Sequence, residues 1–330
     1  MLEGHDLIRG AALAVFLLGH EAGCELRAGL PPSKAHAPAP GGCVPSSDIS
    51  ADAGLLPRST SQLSADATPS AGVALTLMTW NLEWFGDTSE GPADETTQYD
   101  AVRKVLAERG TDIVALQEVA SEDAFDRLLG DLPGYASALS GYAWTQRTAL
   151  LWDRSLLELV HARALSGLDD AGRPPLIVTL RRKRDDFTLR VIVIHAKAQA
   201  DAASHDKRAQ LALGLKTFID LAPELPTIVA GDFNDLLRGS ITSGADTPYR
   251  AFLEDPRFAA PTLSLDAPGA AESSYAHGRG TIDHVLLAPS ASFEVEPASI
   301  DVLQDELLAE DPTFSATVSD HFPVVLALRF

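Results

Sequence analysis

From residue 73 onward, short apolar runs alternate with stretches of helical periodicity. "VALTLMTW" (73–80) alternates apolar and polar positions and predicts a strand, as does the continuous apolar run "DIVALQE" (112–118). "ALLWD" (149–153), "TIVAGD" (227–232), "TIDHVLLA" (281–288) and "DHFPVVLALRF" (320–330) predict four more. "LIVTL" (176–180) and "FTLRVIVIH" (187–195) flank the polar run "RRKRDD" (181–186), the pattern of a hairpin with a solvated tip; a phosphate-contacting loop is the alternative. "QYDAVRKVLAER" (98–109) and "KRAQLALGLKTFIDLA" (207–222) carry apolar residues at helical spacing. Pro323 sits where a strand tolerates proline, at its first residues.

The polar positions at the strand ends carry more information than the strands. Four apolar runs finish on a polar group: Asn81, Glu118, His195 and Asp232. Two runs do the reverse, with Asp283 and His284 ahead of "VLLA" and Asp320 and His321 ahead of "PVVLAL". If the last two strands run antiparallel to the first four, all six polar tips meet on one rim of a mixed sheet. Strand direction and polarity alone require this. Taken singly, each tip has a plainer reading. Glu118 or Asp232 reads as a solvated strand end, "DFND" (232–235) as an Asx-turn and His195 as a satisfied structural histidine. His277 and His284 read as structural, and Trp80 and Trp84 as core.

Charge and cysteine content then narrow the classes. The 330 residues carry a formal net charge of −20, and residues 1–72 hold only seven acids and four bases, so nearly all the excess lies in the body. A surface this acidic disfavours tight non-specific binding of a polyphosphate, but not a site where divalent cations cancel the repulsion. The two cysteines, Cys24 and Cys43, both precede the body, which excludes a cysteine metal cluster or a disulfide-stapled fold there. Residues 1–27 contain a short apolar run, "AALAVFLLG" (11–19), leading to "EAGC" (21–24), similar to the lipobox at which a bacterial lipoprotein is acylated. This predicts export (periplasmic, outer-membrane-tethered or extracellular, with a cytoplasmic location as the alternative) and a membrane tether through a lipidated Cys24. Residues 28–72, rich in Pro, Ala and Ser, predict a disordered linker, leaving 73–330 as the catalytic domain.

On the rim, Glu118 with Asn81 and Asp320 offers hard oxygen donors suited to Mg²⁺, with Mn²⁺ or Ca²⁺ as alternatives. Without a cysteine or an HExxH pair, zinc is disfavoured. His321 pairs with a carboxylate, for which Asp283 is the candidate; Asp232 orients or deprotonates a water; Asn234 and His195 donate to phosphoryl oxygens.

As a set, "MTWNLEW" (78–84), "DIVALQEV" (112–119), "VIVIHAKA" (191–198), "IVAGDFND" (228–235), "GTIDHVLL" (280–287) and "VSDHFPVVLAL" (318–328) resemble the endonuclease/exonuclease/phosphatase superfamily, the deoxyribonuclease I-like fold. The resemblance implies an α/β fold, a four-layer α/β/β/α sandwich of two mixed β-sheets, and metal-dependent phosphoester hydrolysis. It implies metal-site roles for Asn81 and Glu118, catalytic roles for His195, Asp232, Asn234 and the Asp283–His321 pair, and a place for Asp320 beside the metal or the histidine. Where several members carry a glutamate or tyrosine, this chain has Gln146 and Arg147, so Arg147 is the candidate contact for substrate phosphate. The expected substrate is nucleic acid. A phosphatase or phospholipase-type diesterase acting on inositol phosphates or sphingomyelin is the alternative, and a non-catalytic binding module is a third reading. No protein partner is predicted.

Overall fold

The computed structural model describes residues 74–141, 146–168, 173–266, 272–278 and 280–330, together with the backbone of 27–29. The leader (1–27) and the linker (28–72) otherwise lie outside the described residues. The elements follow in the order β1 (Arg27–Gly29), β2 (Ala74–Phe85), α1 (Glu95–Arg109), β3 (Ile113–Val119), α2 (Glu122–Asp131), β4 (Tyr135–Leu139), β5 (Arg147–Asp153), β6 (Leu157–Ala164), β7 (Leu176–Arg182) and β8 (Thr188–His195). After these come α3 (Ala202–Asp220), β9 (Thr227–Asp232), α4 (Arg250–Leu253), β10 (Asp283–Ala288), β11 (Glu294–Val295), β12 (Asp301–Val302), α5 (Gln304–Glu310), α6 (Phe314–Thr317) and β13 (Val324–Arg329).

The strands form two mixed sheets. The first has the order β1-β4-β5-β3-β2-β13-β11, with β12 also on β13; the second has the order β10-β9-β8-β7-β6. Each contains the same triplet, a parallel pair with an antiparallel third strand, in the middle of the first sheet and at one edge of the second. In the first sheet β2 runs parallel to β3 and antiparallel to β13. In the second β9 runs parallel to β8 and antiparallel to β10. The reversed direction that the polar tips required is therefore present in both sheets.

Three apolar layers hold the sandwich. Leu75, Leu77, Val191, Val193, Ala230 and Val285 belong to the core between the sheets. Met78, Trp80 and Leu82 pack the opposite face of the first sheet against α1, α2 and α6, while Ile192, Ile194 and Val229 pack the second against α3. The result is the α/β/β/α order expected of the family. The period of two along a strand explains why the apolar runs end as they do. Continuing the inter-sheet row by one step beyond Val193, Ala230 and Val285 reaches His195, Asp232 and Asp283, and from Leu77 it passes through Thr79 to Asn81. The side chains that fill the core lower down become the polar rim at its end.

The sequence pattern sets both principal helices short at their N-termini. The start at 98 moves back to 95 because the Asp94 side chain accepts from the amides of Thr96 and Thr97, and Gly110 closes the helix with φ +53°. The start at 207 moves back to 202 because Asp201 accepts from the Ser204 amide. The "RRKRDD" run is the β7–β8 hairpin tip, at the opposite end of β8 from His195. There Arg181 pairs with Glu158 and Arg182 with Asp185.

Candidate active site

The rim closes around an open cleft of about 410 Å³, and both sheets contribute to its walls. His195, Asp232 and Asp283 lie at one level, because His195 is in register with Asp232 across the parallel pair and Asp232 with Asp283 across the antiparallel one. This alignment needs a glycine just below Asp232. Gly231 has φ +149°, and a Cβ there would stand 2.0 Å from the Ile194 carbonyl oxygen. Past Asp232 the chain turns through Asn234 at φ +51°. The Asn234 amide N–H donates to Asp232 Oδ1 at 2.8 Å, and its side-chain NH₂ donates to Asp232 Oδ2 at 2.8 Å and to the Ala196 carbonyl at 3.1 Å. Asp235 serves the fold. Its carboxylate accepts from buried Arg208 Nε at 2.8 Å and from the Leu236 and Ile241 amides.

Opposite, β2 breaks register with β3 between Asn81 and Phe85, and β3 breaks register with β5 between Leu116 and Val119. Alternation alone would send Glu118 toward the helical layer behind Val114 and Leu116. A left-handed φ of +58° turns it into the cleft instead. There Glu118 Oε2 accepts from the Trp84 amide, and Oε1 accepts from Asn81 Nδ2, both at 3.1 Å. Asn81 Nδ2 also donates to Asp232 Oδ2 at 3.1 Å, while its Oδ1 accepts the Glu83 amide at 3.0 Å. The amide of Asn81 thus ties a carboxylate of the first sheet to one of the second. The Ser319 hydroxyl donates to the Asn81 carbonyl at 2.7 Å and accepts from the His321 amide at 3.0 Å, which docks the third segment.

His321 Nδ1 lies 2.8 Å from Asp283 Oδ2, and its Nε2 lies 4.0 Å from Asp232 Oδ2 and 3.9 Å from Asp320 Oδ1. Burial opposes charge on this ring, but Asp283, with Asp232 and Asp320 beyond it, overrides burial and raises His321 to about 10. His321 is therefore an imidazolium at neutral pH. His195 is the opposite case: burial first, then the nearby charges of Arg173, His321 and Lys197, lower it well below 6.5. Its Nε2 stands 3.5 Å from an oxygen of each of Glu118 and Asp232.

The carboxylates show the complementary strain. Burial, with Asp283 nearby, raises Asp232 to about 7; burial, with Asp320 nearby, raises Glu83 to about 7; Glu118 and Asp320 are also raised, chiefly by burial. Desolvated, mutually repelling oxygen donors are the environment a divalent cation relieves, so the donor set fits a hard metal ion. Glu118 and Asp320 would hold it with Glu83, whose Oε2 accepts the Asp320 amide at 2.7 Å. Asn81, turned N–H first toward Glu118, orients that ligand. Asp232, Asp283 and His321 also bring one ligand atom each within 4.8 Å of one another, but the His321–Asp283 bond and the imidazolium charge make that cluster a proton-bearing pair.

The structure thus brings together Asn81, Glu118, His195, Asp232, Asn234, Asp283, Asp320 and His321. Arg147 does not join them. Its guanidinium donates to the Ala120 carbonyl at 3.0 Å and pairs with Glu122 at 2.9 Å, holding the start of α2. Trp80 is core, but Trp84, at φ +55°, lines the cleft. His284 is structural as expected, held between Thr262 Oγ1 and the Asp235 carbonyl and kept neutral, at about 3, by burial. Glu83, Arg173, Lys197 and Tyr275 line the cleft without having been foreseen. Glu83 and Lys197 each lie two residues past a rim group, a spacing that offered a signal; Arg173 and Tyr275 offered none.

Solved structures of the same architecture include the human Nocturnin catalytic domain with bound sulfate anion, at 21% identity and TM-score 0.58, covering 77% of this chain and 94% of that one. A TDP2 from D. rerio complexed with single-strand DNA product shares 13% identity at TM-score 0.60 over 78% of this chain and 99% of that one. A mannosyl-6-phosphatase from Bacteroides thetaiotaomicron shares 18% at TM-score 0.56 over 78% and 100%. At these identities the likeness is one of fold. No curated protein matches the sequence. The profile of the Endonuclease/Exonuclease/phosphatase family, however, matches residues 78–321, the whole span from β2 to His321, and the chain belongs to that family of phosphoesterases.

Proposed function

We propose that this chain is a Mg²⁺-dependent phosphodiesterase acting on nucleic acid. The observation that carries the reading is the meeting in one cleft of the His321–Asp283 pair, the buried His195 and the carboxylates of Glu118, Asp232 and Asp320. The carboxylate-rich wall of the first sheet suits a cation that neutralises charge on the phosphoryl and leaving oxygens. Asp232 accepts the proton of a water attacking phosphorus in line, and Asn234 fixes that carboxylate through both its N–H groups. As the new P–O bond forms, the bond to the leaving oxygen breaks and that oxygen takes a proton from solvent. The His321 imidazolium donates to a non-bridging oxygen, where negative charge grows, and Asp283 keeps the ring charged and oriented. His195 donates to a second non-bridging oxygen.

The open cleft, walled by both sheets, favours a chain-like substrate. A phosphomonoester or lipid headgroup is the alternative within the same chemistry. The test is a panel with the purified full chain: single- and double-stranded DNA, RNA, inositol phosphates and sphingomyelin, each with Mg²⁺ and with EDTA. Mg²⁺-dependent cleavage of DNA or RNA is the expected result. Turnover of inositol phosphates alone moves the assignment to a phosphatase, and cleavage that survives EDTA removes the metal from it.

A further inference from the structure

Three tryptophans fall among the described residues, and one of them is not core. Trp80 and Trp152 are buried, and Trp80 Nε1 donates to the His321 carbonyl at 3.0 Å. Trp84, half-buried at the end of β2, lines the cleft. Alternation along β2 does not put it there. Met78, Trp80 and Leu82 face the helical layer, and Trp84 is the next member of that row. Phe85 fills the place instead: it belongs to the helix-side core, with its ring centroid 6.1 Å from that of Tyr99. Two consecutive left-handed residues, Glu83 at φ +47° and Trp84 at φ +55°, make the exchange.

Such a backbone is costly at residues other than glycine and persists only where the surroundings impose it. Here they do. Gln98 Nε2 donates to the Leu82 and Glu83 carbonyls at 2.7 and 2.8 Å, and the Trp84 amide donates to Glu118 Oε2 at 3.1 Å. The Asp87 amide closes the turn on the Trp84 carbonyl at 2.9 Å. Gly91 lies so close that a Cβ on it would stand 3.0 Å from Trp84 Cβ. Aiming Glu83 at the Asp320 amide accounts for the first left-handed residue, but not for a large aromatic side chain at the second. Among the described residues no other aromatic ring or cation stacks on Trp84. The fold thus takes a tryptophan out of an apolar core and fixes it, unpartnered, beside the carboxylates of the first sheet.

We propose that Trp84 is a substrate-contacting residue that stacks an unpaired nucleobase next to the scissile phosphate, which makes the substrate a single-stranded nucleic acid. This rests on the phosphodiesterase reading above and narrows its substrate. In a chain of net charge −20, broad phosphate contacts are a poor source of affinity, whereas an uncharged ring face serves any base. A base inside a duplex is already stacked and must be unstacked before it can reach the ring. The amide bond to Glu118 sets the ring on the metal side of the phosphate, so the stacked base belongs to the nucleoside on that side.

The test uses two comparisons in which only the base differs. Calorimetry on the Mg²⁺-loaded full chain compares thymidine 5′-phosphate with 2-deoxyribose 5-phosphate. Initial rates compare kcat/KM for oligothymidylate with that for an oligomer of abasic tetrahydrofuran residues. Wild type favours the base-bearing member of each pair by about 5- to 100-fold, the worth of one base stacked on an aromatic ring. Trp84→Ala reduces both preferences to within about two-fold, and Trp84→Phe keeps part of both. Melting temperatures identify a misfolded Trp84→Ala, in which case Trp84→Leu, apolar but without a π-face, carries the comparison. A wild type indifferent to the base, or a preference that survives in the folded variant, overturns the proposal. A chain that binds thymidine 5′-phosphate through Trp84 yet cleaves no diester overturns the diesterase reading and leaves this one standing.

Discussion

Replacing Asp283 with asparagine keeps the shape of the His321 partner and removes its charge. In the native site Asp283 Oδ2 meets His321 Nδ1 at 2.8 Å, and Oδ1 is buried with no hydrogen-bond partner. In the variant the amide oxygen still accepts from Nδ1–H, while the amide nitrogen sits unpaired where Oδ1 was. Holding the ring at about 10 against an ordinary 6.5 corresponds to roughly 5 kcal/mol in favour of imidazolium. Asp283 is the nearest source of that preference, and burial works against it. Without Asp283, Asp232 at 4.0 Å and Asp320 at 3.9 Å must offset burial from a greater distance, and the ring titrates near or below neutrality. At pH 8 it is then largely neutral, and the rate falls by about 10²- to 10⁴-fold, the span general acid–base groups supply. Lowering the pH from 8 toward 7 restores part of the imidazolium and part of the rate, and below about 7 protonation of Asp232 takes the rate away again. The assay pairs kcat/KM across pH 5.5–9 with an NMR titration of the His321 ring. A variant whose His321 still titrates near 10, or whose rate at pH 8 stays within about three-fold of wild type, would refute the reasoning.

The same titrations predict how the metal-free chain responds to pH. Glu83 and Asp232 titrate at about 7 folded against ordinary values of 4.5 and 3.8, so between those limits the folded state binds more protons and stability falls as pH rises. His321, raised to about 10, adds stability that is complete below 6.5 and lost by about 10. His195 and His284, both lowered, oppose this only below 6.5, so in EDTA the urea midpoint is higher at pH 6.5 than at pH 8.5, and saturating Mg²⁺ narrows the gap; a midpoint that rises over this range contradicts the assignment. Gly231→Ala drives a Cβ to within 2.0 Å of the Ile194 carbonyl oxygen, so the parallel β8–β9 pair must part. The expected cost is about 3 kcal/mol or more with loss of activity, and a thermal melt within about 1 °C of wild type would contradict it. Arg208→Met strands the fully buried Asp235 carboxylate, at a cost of about 3–5 kcal/mol by urea titration. An effect below about 1 kcal/mol would show that Asp235 is not held by that pair.

The rim was legible because two independent regularities agree at it. Alternation along each strand points a row of side chains into the core, and strand direction says which end of the row reaches solvent. Asn81, His195, Asp232 and Asp283 follow from those rules. Glu118 follows only in part, since alternation places it on the wrong face and a left-handed residue corrects it. Arg147 was misplaced because its position at the head of β5 is near the rim while its long side chain turns back to the Ala120 carbonyl and Glu122. Arg173 was invisible for the converse reason: a loop between β6 and β7 brings it in, and no periodicity marks a loop residue. Trp84 read as core from its composition, but the turn that exposes it depends on positive φ at Glu83 and Trp84, which these residue types do not advertise. The short edge strands β11 and β12 and the four-residue α4 and α6 carry too few positions for a period to show.

The central claim is that carboxylates from separate strands gather one divalent cation on which phosphoester cleavage depends. It is tested most directly by titrating Mg²⁺ into the EDTA-stripped full chain during hydrolysis of bis(p-nitrophenyl) phosphate, for wild type and Glu118→Gln. The account predicts negligible rate without metal, saturable recovery in wild type, and a concentration for half-recovery at least about ten-fold higher in the variant, with kcat also reduced. Hydrolysis that proceeds at full rate in EDTA, or one Mg²⁺ curve shared by both proteins, would contradict it.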